Sequence, residues 1–508
     1  MSAFAPEPPP IEDLDQLPGD DRHTLHCDVV VVGSGAGGGA AAAALAEAGL
    51  TVTIVEEGGH HDTEAYSADV LQMMGRILRD GGSTFIAGKA PIPYLEGCCV
   101  GGTTVVNGGM CWRTPEKILD GWVQDFGLEQ LSPEAMSPLF DEVEATINAR
   151  QQDPGSQGGN NEVFRQGAER KGWRLSVNRR NQVHCVGSNE CVSGCPSGAK
   201  QSSLQSWLPR AGRAGARVLA HSKVEKVLIE GGRAAGVMGR SRWRKRPFTI
   251  KARAVVMACG AVHTPVALLK NKIGRRSGQV GRHFTCHPNV KLFARFDTPV
   301  DSARGTHQAY QCTEFESEGI LLAPGSLPLP FMSMIFSHDF GESLEARLEA
   351  QRYMFLGGIL VEDSSAGRIS TLMGQPRVRY DVQPLDQQRF IRGVCMFAEM
   401  LFDVGAREVY TPFFHMPVLK SPDDIARLKA LEPKVKDTEY FTAHLMGSCR
   451  MHSDPRQGVV GPDGQCFDLP GLYLADASVM PGPVGVNPQV TIMALSLLIA
   501  RQVAEALA

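Results

Sequence analysis

The chain has 508 residues, 43% apolar and 21% charged, with a formal net charge of −4. That length allows two or more domains with sizeable cores, and the near-balanced charge speaks against a nucleic-acid or anionic-membrane partner. The longest mostly apolar run, 490–500, is shorter than the ~20 residues of a bilayer span, and the N-terminus shows neither a charged-then-apolar leader nor a twin arginine, so no transmembrane segment and a cytoplasmic location (or export on a partner) are expected.

Residues 1–26 form an N-terminal arm, Pro- and acid-rich with few apolar anchors over 1–24, which predicts a loose arm or surface strap. The first domain begins at 27. Residues 28–32 are a continuous β-branched run suited to a strand buried on both faces. Gly33, Gly35 and Gly38 follow in G-x-G-x-x-G spacing: one for the tight turn, one for close approach to a pyrophosphate, one for helix–sheet packing. The Ala-rich run 40–48 predicts that helix, whose N-terminus offers free N–H groups to an anion. A second strand at 51–55 delivers Glu56, a carboxylate 21 residues after Gly35, placed for the ribose hydroxyls of an adenosine.

Residues 81–115 are glycine-rich, and Gly101-Gly102-Thr103-Thr104-Val105-Val106-Asn107 reads as a close-approach loop with several donors. A surface helix is expected over 130–152 and a Gly/Gln/Asn linker over 153–161. Short antiparallel strands are expected at 217–219, 224–229, 235–238 and 248–250, then a buried parallel strand at 254–258 and a helix at 266–271, so the first domain resumes and closes near 289. Residues 290–440 predict a second domain, an antiparallel sheet (290–296, 331–337, 353–361, 368–372, 377–382) followed by helices at 384–404 and 422–431. Its Phe331, Met332, Met334, Phe336, Met354 and Phe355 read as core. From 441 to 508 the chain returns to the first domain, with a strand at 472–475 ending on Asp476, a Pro/Gly turn at 481–488 and a buried helix at 489–507.

Taken together, these motifs closely resemble the glucose–methanol–choline (GMC) oxidoreductases. Those that carry the resemblance are Gly33/Gly35/Gly38 with Glu56, the 101–107 loop, Gly260 to Pro265, His444-Leu445-Met446-Gly447-Ser448, and Leu474-Ala475-Asp476-Ala477 leading to Asn487-Pro488-Gln489. The C-terminal stretch is most similar to the long-chain fatty-alcohol branch. The resemblance implies an α/β fold: a Rossmann-like FAD-binding domain, discontinuous in sequence, plus a substrate domain with an antiparallel sheet and helices. It implies FAD, bound non-covalently since 101–109 holds no histidine, with contacts from Gly102, Thr103, Asn107, Asp476, Ala477, Pro488 and Gln489, and from the Val224 backbone at the adenine. It also implies His444 as the base for an alcohol proton, its imidazole expected near ~6.5. Asn487 then holds the substrate oxygen, and flavin takes the hydride. His263, His283 and His287 are read as structural. The substrate expected is a small alcohol, apolar or aromatic in preference to a sugar. Alternatives are a sugar dehydrogenase, a hydroxynitrile-lyase-like enzyme and an electron-transfer subunit.

Cys185, Cys191 and Cys195, ending in Cys-Pro, resemble an iron–sulfur ligand run and the cysteine stretch of bacterial GMC dehydrogenases carrying a 3Fe–4S cluster. The fatty-alcohol branch has a similar loop that need not bind metal, and both readings stay open. A cluster would pass electrons to a cytochrome c or a quinone; without it, oxygen is the alternative acceptor. The remaining cysteines read as small buried hydrophobes, without a disulfide framework.

Overall fold

The computed structural model describes residues 9–18, 23–335 and 339–508. Six strands form a parallel sheet in the order Ile11–Asp13, Arg217–Ala220, Val52–Val55, His23–Val32, Pro247–Met257 and Leu472–Leu474. Strand Pro247–Met257 is long enough to have two neighbours on one edge. Its second half pairs with Leu472–Leu474, and its first half starts an antiparallel flap of Arg233–Ser241 and Ser222–Glu230. The strands expected at 248–250 and 254–258 are therefore one. Arg217–Ala220, expected to be antiparallel, lies parallel beside Val52–Val55. Of the predicted arm, the described part straps the sheet edge through Ile11–Asp13; residues 1–8 and 19–22 lie outside the described residues.

Helix Ala36–Glu47 packs on this sheet with almost no side chain between them, since Ala40 to Ala43 are fully buried. Its glycines set the distance. A Cβ on Gly38 would stand 1.9 Å from the Gly33 carbonyl oxygen, and one on Gly37 2.0 Å from that of Ala475. Helix Gln489–Leu507 crosses it here, with Ser496 Oγ donating to the Ala475 carbonyl at 2.9 Å. That helix is long and apolar enough to cross a membrane by length and composition, but its Val490, Met493, Leu497 and Val503 are buried within the core.

The second sheet has seven antiparallel strands: Val418–Leu419, Glu408–Tyr410, Asn289–Arg295, Met354–Val361, Ile320–Pro324, Tyr310–Cys312 and Leu175–Val177. Helix Pro384–Asp403 covers one face, and Gly357 lets Phe397 approach Phe355, ring to ring at 5.7 Å. Residues 331–335 close the helix Leu329–Ile335 where a strand was expected, because Pro328 and Pro330 favour a helical start; Phe336 and the Met334 side chain lie outside the described residues. Of the linker expected over 153–161, residues 153–158 are a short turn and irregular chain, and 159–161 open helix Gly159–Lys171. Asn160 and Asn161 are buried there, donating to the carbonyls of Gly325 and Thr306. Polar composition misled here: these amides bond backbone, not water.

Candidate active site

The turn after His23–Val32 is built from glycine for two separate reasons. Gly33 has φ +106°, and a Cβ there would lie 2.3 Å from the Ala258 carbonyl oxygen. A Cβ on Gly35 would meet only Gly102 Cα, at 3.8 Å. From the other side Gly102, at φ +54°, faces Gly35 Cα so closely that a Cβ would stand 2.8 Å from it. Two glycine loops thus face each other beside the N-terminus of Ala36–Glu47, which has no side-chain cap. Backbone N–H groups and an uncapped helix end suit a pyrophosphate.

Glu56 is buried next to this turn. It accepts from the Ser34 N–H (3.1 Å) and hydroxyl (2.7 Å) and from the Gly58 N–H (2.8 Å), while its backbone carbonyl accepts from Ser222 N–H (2.8 Å). Val224, two residues beyond Ser222, is thereby brought to the Glu56 end of the cradle. Burial pushes the Glu56 carboxyl up. Beside it, burial also raises Glu57, yet Arg79 and Lys223 outweigh it and bring Glu57 to about 2. His263 lies 3.3 Å from Glu96, whose carboxylate is also 3.9 Å from Arg79.

The 101–107 loop joins the C-terminal segment through one side-chain pair. Asn107 Nδ2 donates to Gln489 Oε1 at 2.9 Å, and Gln489 Nε2 donates to the Met110 carbonyl at 2.5 Å. Pro488 precedes helix Gln489–Leu507, whose N-terminus also lacks a side-chain cap. Thr103 accepts from Gly97 N–H at 3.1 Å. Asp476 is taken up within the protein: it accepts from Gly260 N–H and Ser478 N–H, both at 2.8 Å, and from the Thr264 hydroxyl. The Ala477 carbonyl accepts from Gly447 N–H at 3.0 Å.

His444 and Asn487 meet. Nδ2 of the asparagine lies 2.9 Å from Nε2 of the histidine, so Nε2 accepts and the ring proton sits on Nδ1. The loop carrying His444 is stitched on both sides. Met446 exchanges backbone hydrogen bonds with Thr285 at 3.0 Å, and Gly447, at φ +81°, leaves room for the His283 carbonyl. Burial, then the neighbouring His287 and Lys291, lower His444 to about 3, far below the ordinary imidazole value expected from its residue type.

Three residues at this site carry no motif. His287, read as structural, has its ring 5.9 Å from that of His444. Its Nδ1 is 3.1 Å from Asp363, and its Nε2 accepts from Val484 and Gly485 N–H (3.3 and 3.2 Å), just ahead of Asn487. His307 stands against the glycine loop, where a Cβ on Gly108 would lie 2.8 Å from its ring; burial lowers it to about 3. Lys291 reaches in from the antiparallel sheet. His287 is buried and the other two are partly exposed, and only their tertiary surroundings distinguish them.

Cys185, Cys191 and Cys195 line one small cavity together with Arg180 and Lys200. Arg180 Nη2 donates to Cys191 Sγ and Lys200 N–H to Cys195 Sγ, each at 3.3 Å. Arg180 is buried, yet its Nε and Nη1 lack partners. Lys200 Nζ bonds the carbonyls of Val105 (2.7 Å) and Asn107 (2.8 Å), fastening this loop beneath the glycine loop. The three sulfurs do not share the short separations of a single-ion site: among the described residues only Asp13, Asp15 and His221 form such a group. None of the thirteen cysteines is joined in a disulfide.

Residues 74–289 and 363–496 match family models described as GMC oxidoreductase, and 28–78 one described as FAD binding domain. The chain is 32% identical over 94% of its length, and 94% of the relative's, to an uncharacterized GMC-type oxidoreductase of Sinorhizobium fredii. It is 29% identical to a long-chain-alcohol oxidase of Arabidopsis thaliana, covering 96% of this chain and 69% of that one. Pyridoxine 4-oxidase from Mesorbium loti has the same fold, with TM-score 0.72 at 19% identity over 94% of this chain and 99% of that one. A fungal aryl-alcohol oxidase gives TM-score 0.66 at 17% identity, with 96% and 100% covered.

Proposed function

The chain belongs to the GMC oxidoreductase family, and on that premise we propose that it oxidises the CH–OH group of an apolar or aromatic alcohol to a carbonyl. The observation that carries this is the 2.9 Å approach of His444 Nε2 and Asn487 Nδ2, joined to the glycine cradle through Gln489 and Asn107. FAD fits the cradle: Gly33, Gly35, Gly38 and Gly102 leave the close-approach space, Glu56 and Val224 stand at the adenosine end, and Asn107, Pro488 and Gln489 at the other. No histidine in 101–109 offers a covalent link. When bound, FAD supplies the two-electron acceptor.

The rest is done by the protein. Asn487 Nδ2 donates to the alcohol oxygen and aims its C–H bond. As Asn487 turns its hydrogen bond from His444 Nε2 to the alcohol oxygen, the freed Nε2 lone pair takes the hydroxyl proton. A part-buried, neutral imidazole is available throughout the neutral range but is a weak base, so it takes this proton in concert with C–H cleavage and forms no free alkoxide beforehand. His287, on Asp363, anchors the Val484–Gly485 backbone that leads to Asn487 and so positions the amide. Flavin absorbance followed under anaerobic alcohol tests this. We expect alkyl or benzylic alcohols to bleach it, and His444→Ala to keep FAD while slowing bleaching by about 10²–10⁴-fold. Turnover of sugars alone, or carbonyl formation without bleaching as in a lyase, would sink the reading.

A second reading concerns the cysteines. An iron–sulfur cluster spreads its thiolates over several irons, and a cavity lined by Cys185, Cys191 and Cys195 with two buried cations suits such an anionic group. We propose that these three residues hold a 3Fe–4S cluster that passes electrons to a cytochrome c or quinone. Iron and acid-labile sulfide counted in the purified protein, with its EPR spectrum, decide it; iron well below stoichiometry would leave oxygen as the acceptor.

A further inference from the structure

Strand Asn289–Arg295 carries a lysine that the reaction above does not use. Lys291 pairs across the sheet with Gly358, and the missing side chain there makes room for it: a Cβ on Gly358 would lie 2.9 Å from Lys291 Nζ. Asn289 and Phe441 exchange backbone hydrogen bonds, both 2.8 Å, fastening the strand to the chain three residues before His444. The Lys291 ammonium lies 5.9 Å from the Phe441 ring centroid. Among the described residues no hydrogen bond or ion pair reaches it.

A cation drawn partly out of water without a counter-charge is costly, and Lys291 is only partly exposed. Burial brings Lys291 down to about 8, still mostly charged at neutral pH. The part of its side chain left accessible lies beside Phe441 and the chain leading to His444, and its charge disfavours a proton on His444 and on His307. The nearby Asp363 is already engaged by Cys286 N–H (2.8 Å), His287 N–H (2.7 Å) and the His287 ring. Phe293, on the same sheet face two residues along, belongs to an apolar cluster with Met332, Met354, Leu356 and Tyr410.

Among the described residues, then, this wall presents a positive charge without a counter-charge next to hydrocarbon. We infer that Lys291 receives a carboxylate of the substrate, so that the alcohols taken here are hydroxy acids, with the hydroxyl at His444 and Asn487 and the carboxylate at Lys291. A single flexible ammonium matches one carboxylate; a phosphate would call for more donors. This assignment rests on the alcohol-oxidising reading above.

The test compares kcat/KM for 4-(hydroxymethyl)benzoate and for benzyl alcohol, and for an ω-hydroxyalkanoate and its 1-alkanol. Wild-type protein should favour the carboxylates, and Lys291→Met should cut that ratio by about ten- to a hundredfold, as expected for a charge-assisted hydrogen bond. Lys291→Arg, which keeps the charge, should retain part of the preference, and bound-flavin absorbance reports that each variant folds. An unchanged ratio in Lys291→Met overturns the inference. Calorimetric titration with benzoate separates this inference from the functional reading. Binding lost in Lys291→Met supports the lysine's role even if no alcohol bleaches the flavin. No binding to wild type, or equal binding to both proteins, overturns it.

Discussion

Burial and the neighbouring His287 and Lys291 hold the His444 imidazole at about 3, so its charge state does not change across the pH range in which histidines usually titrate. An acid limb in kcat/KM centred near 6.5, the signature of an ordinary catalytic histidine, should therefore be missing. For one neutral alcohol we expect kcat/KM to be flat from about pH 8 down to about pH 5, as far as this residue decides it. A limb midway between 6 and 7 that disappears in His444→Ala would show the imidazole to be more solvated than it is here. Residue identity made His444 and Asn487 legible, because a short motif surrounds each. Lys291, His287 and His307 sit in ordinary strand or loop sequence, and their significance lies in which counter-charges are missing or present, which no local pattern records.

Among the elements, helix Ala36–Glu47 shows how close packing limits change. Its fingerprint glycines were legible, but Gly37 is constrained too, by the Ala475 backbone carbonyl, and Gly39 less rigidly by Ser203 Oγ at 2.1 Å from a Cβ. Gly37→Ala should lower stability by about 1–3 kcal/mol through overpacking against backbone, seen as a drop in the thermal midpoint of the flavin-loaded protein. Gly121 in helix Glu116–Phe126 has nothing within 4 Å of a Cβ, so Gly121→Ala should raise stability by about 0.5–1 kcal/mol. The reverse order would mean that the two-helix crossing is looser than the structure has it. Gly37 escaped notice because its partner strand and the crossing helix lie more than 400 residues later in the chain.

At the scale of the whole molecule, several histidines are kept neutral by packing. Burial lowers His444 and His307 to about 3 and His283 to about 4, against roughly 6.5 in an unfolded chain. Between those values the unfolded chain binds protons that the native one refuses. Stability is therefore fully present above about pH 6.5 and is lost as pH falls toward 4. Thermal midpoints measured at constant ionic strength should decline over that window, before the ion pairs of Glu57, held at about 2, are protonated. Midpoints level between pH 7 and 4.5 would contradict this.

The sequence by itself determined the dinucleotide unit and the paired His444 and Asn487. In the unit, strand, glycine turn, helix and acid follow one another within 30 residues, and local sterics and hydrophobic period decide them. Only the tertiary structure decided that Arg217–Ala220 lies parallel beside Val52–Val55, that 331–335 is helical, that the three cysteines share a cavity, and that Lys291 has no counter-charge among the described residues. Strand direction, burial and charge pairing depend on which distant segments come together, and that is settled by packing across the whole chain.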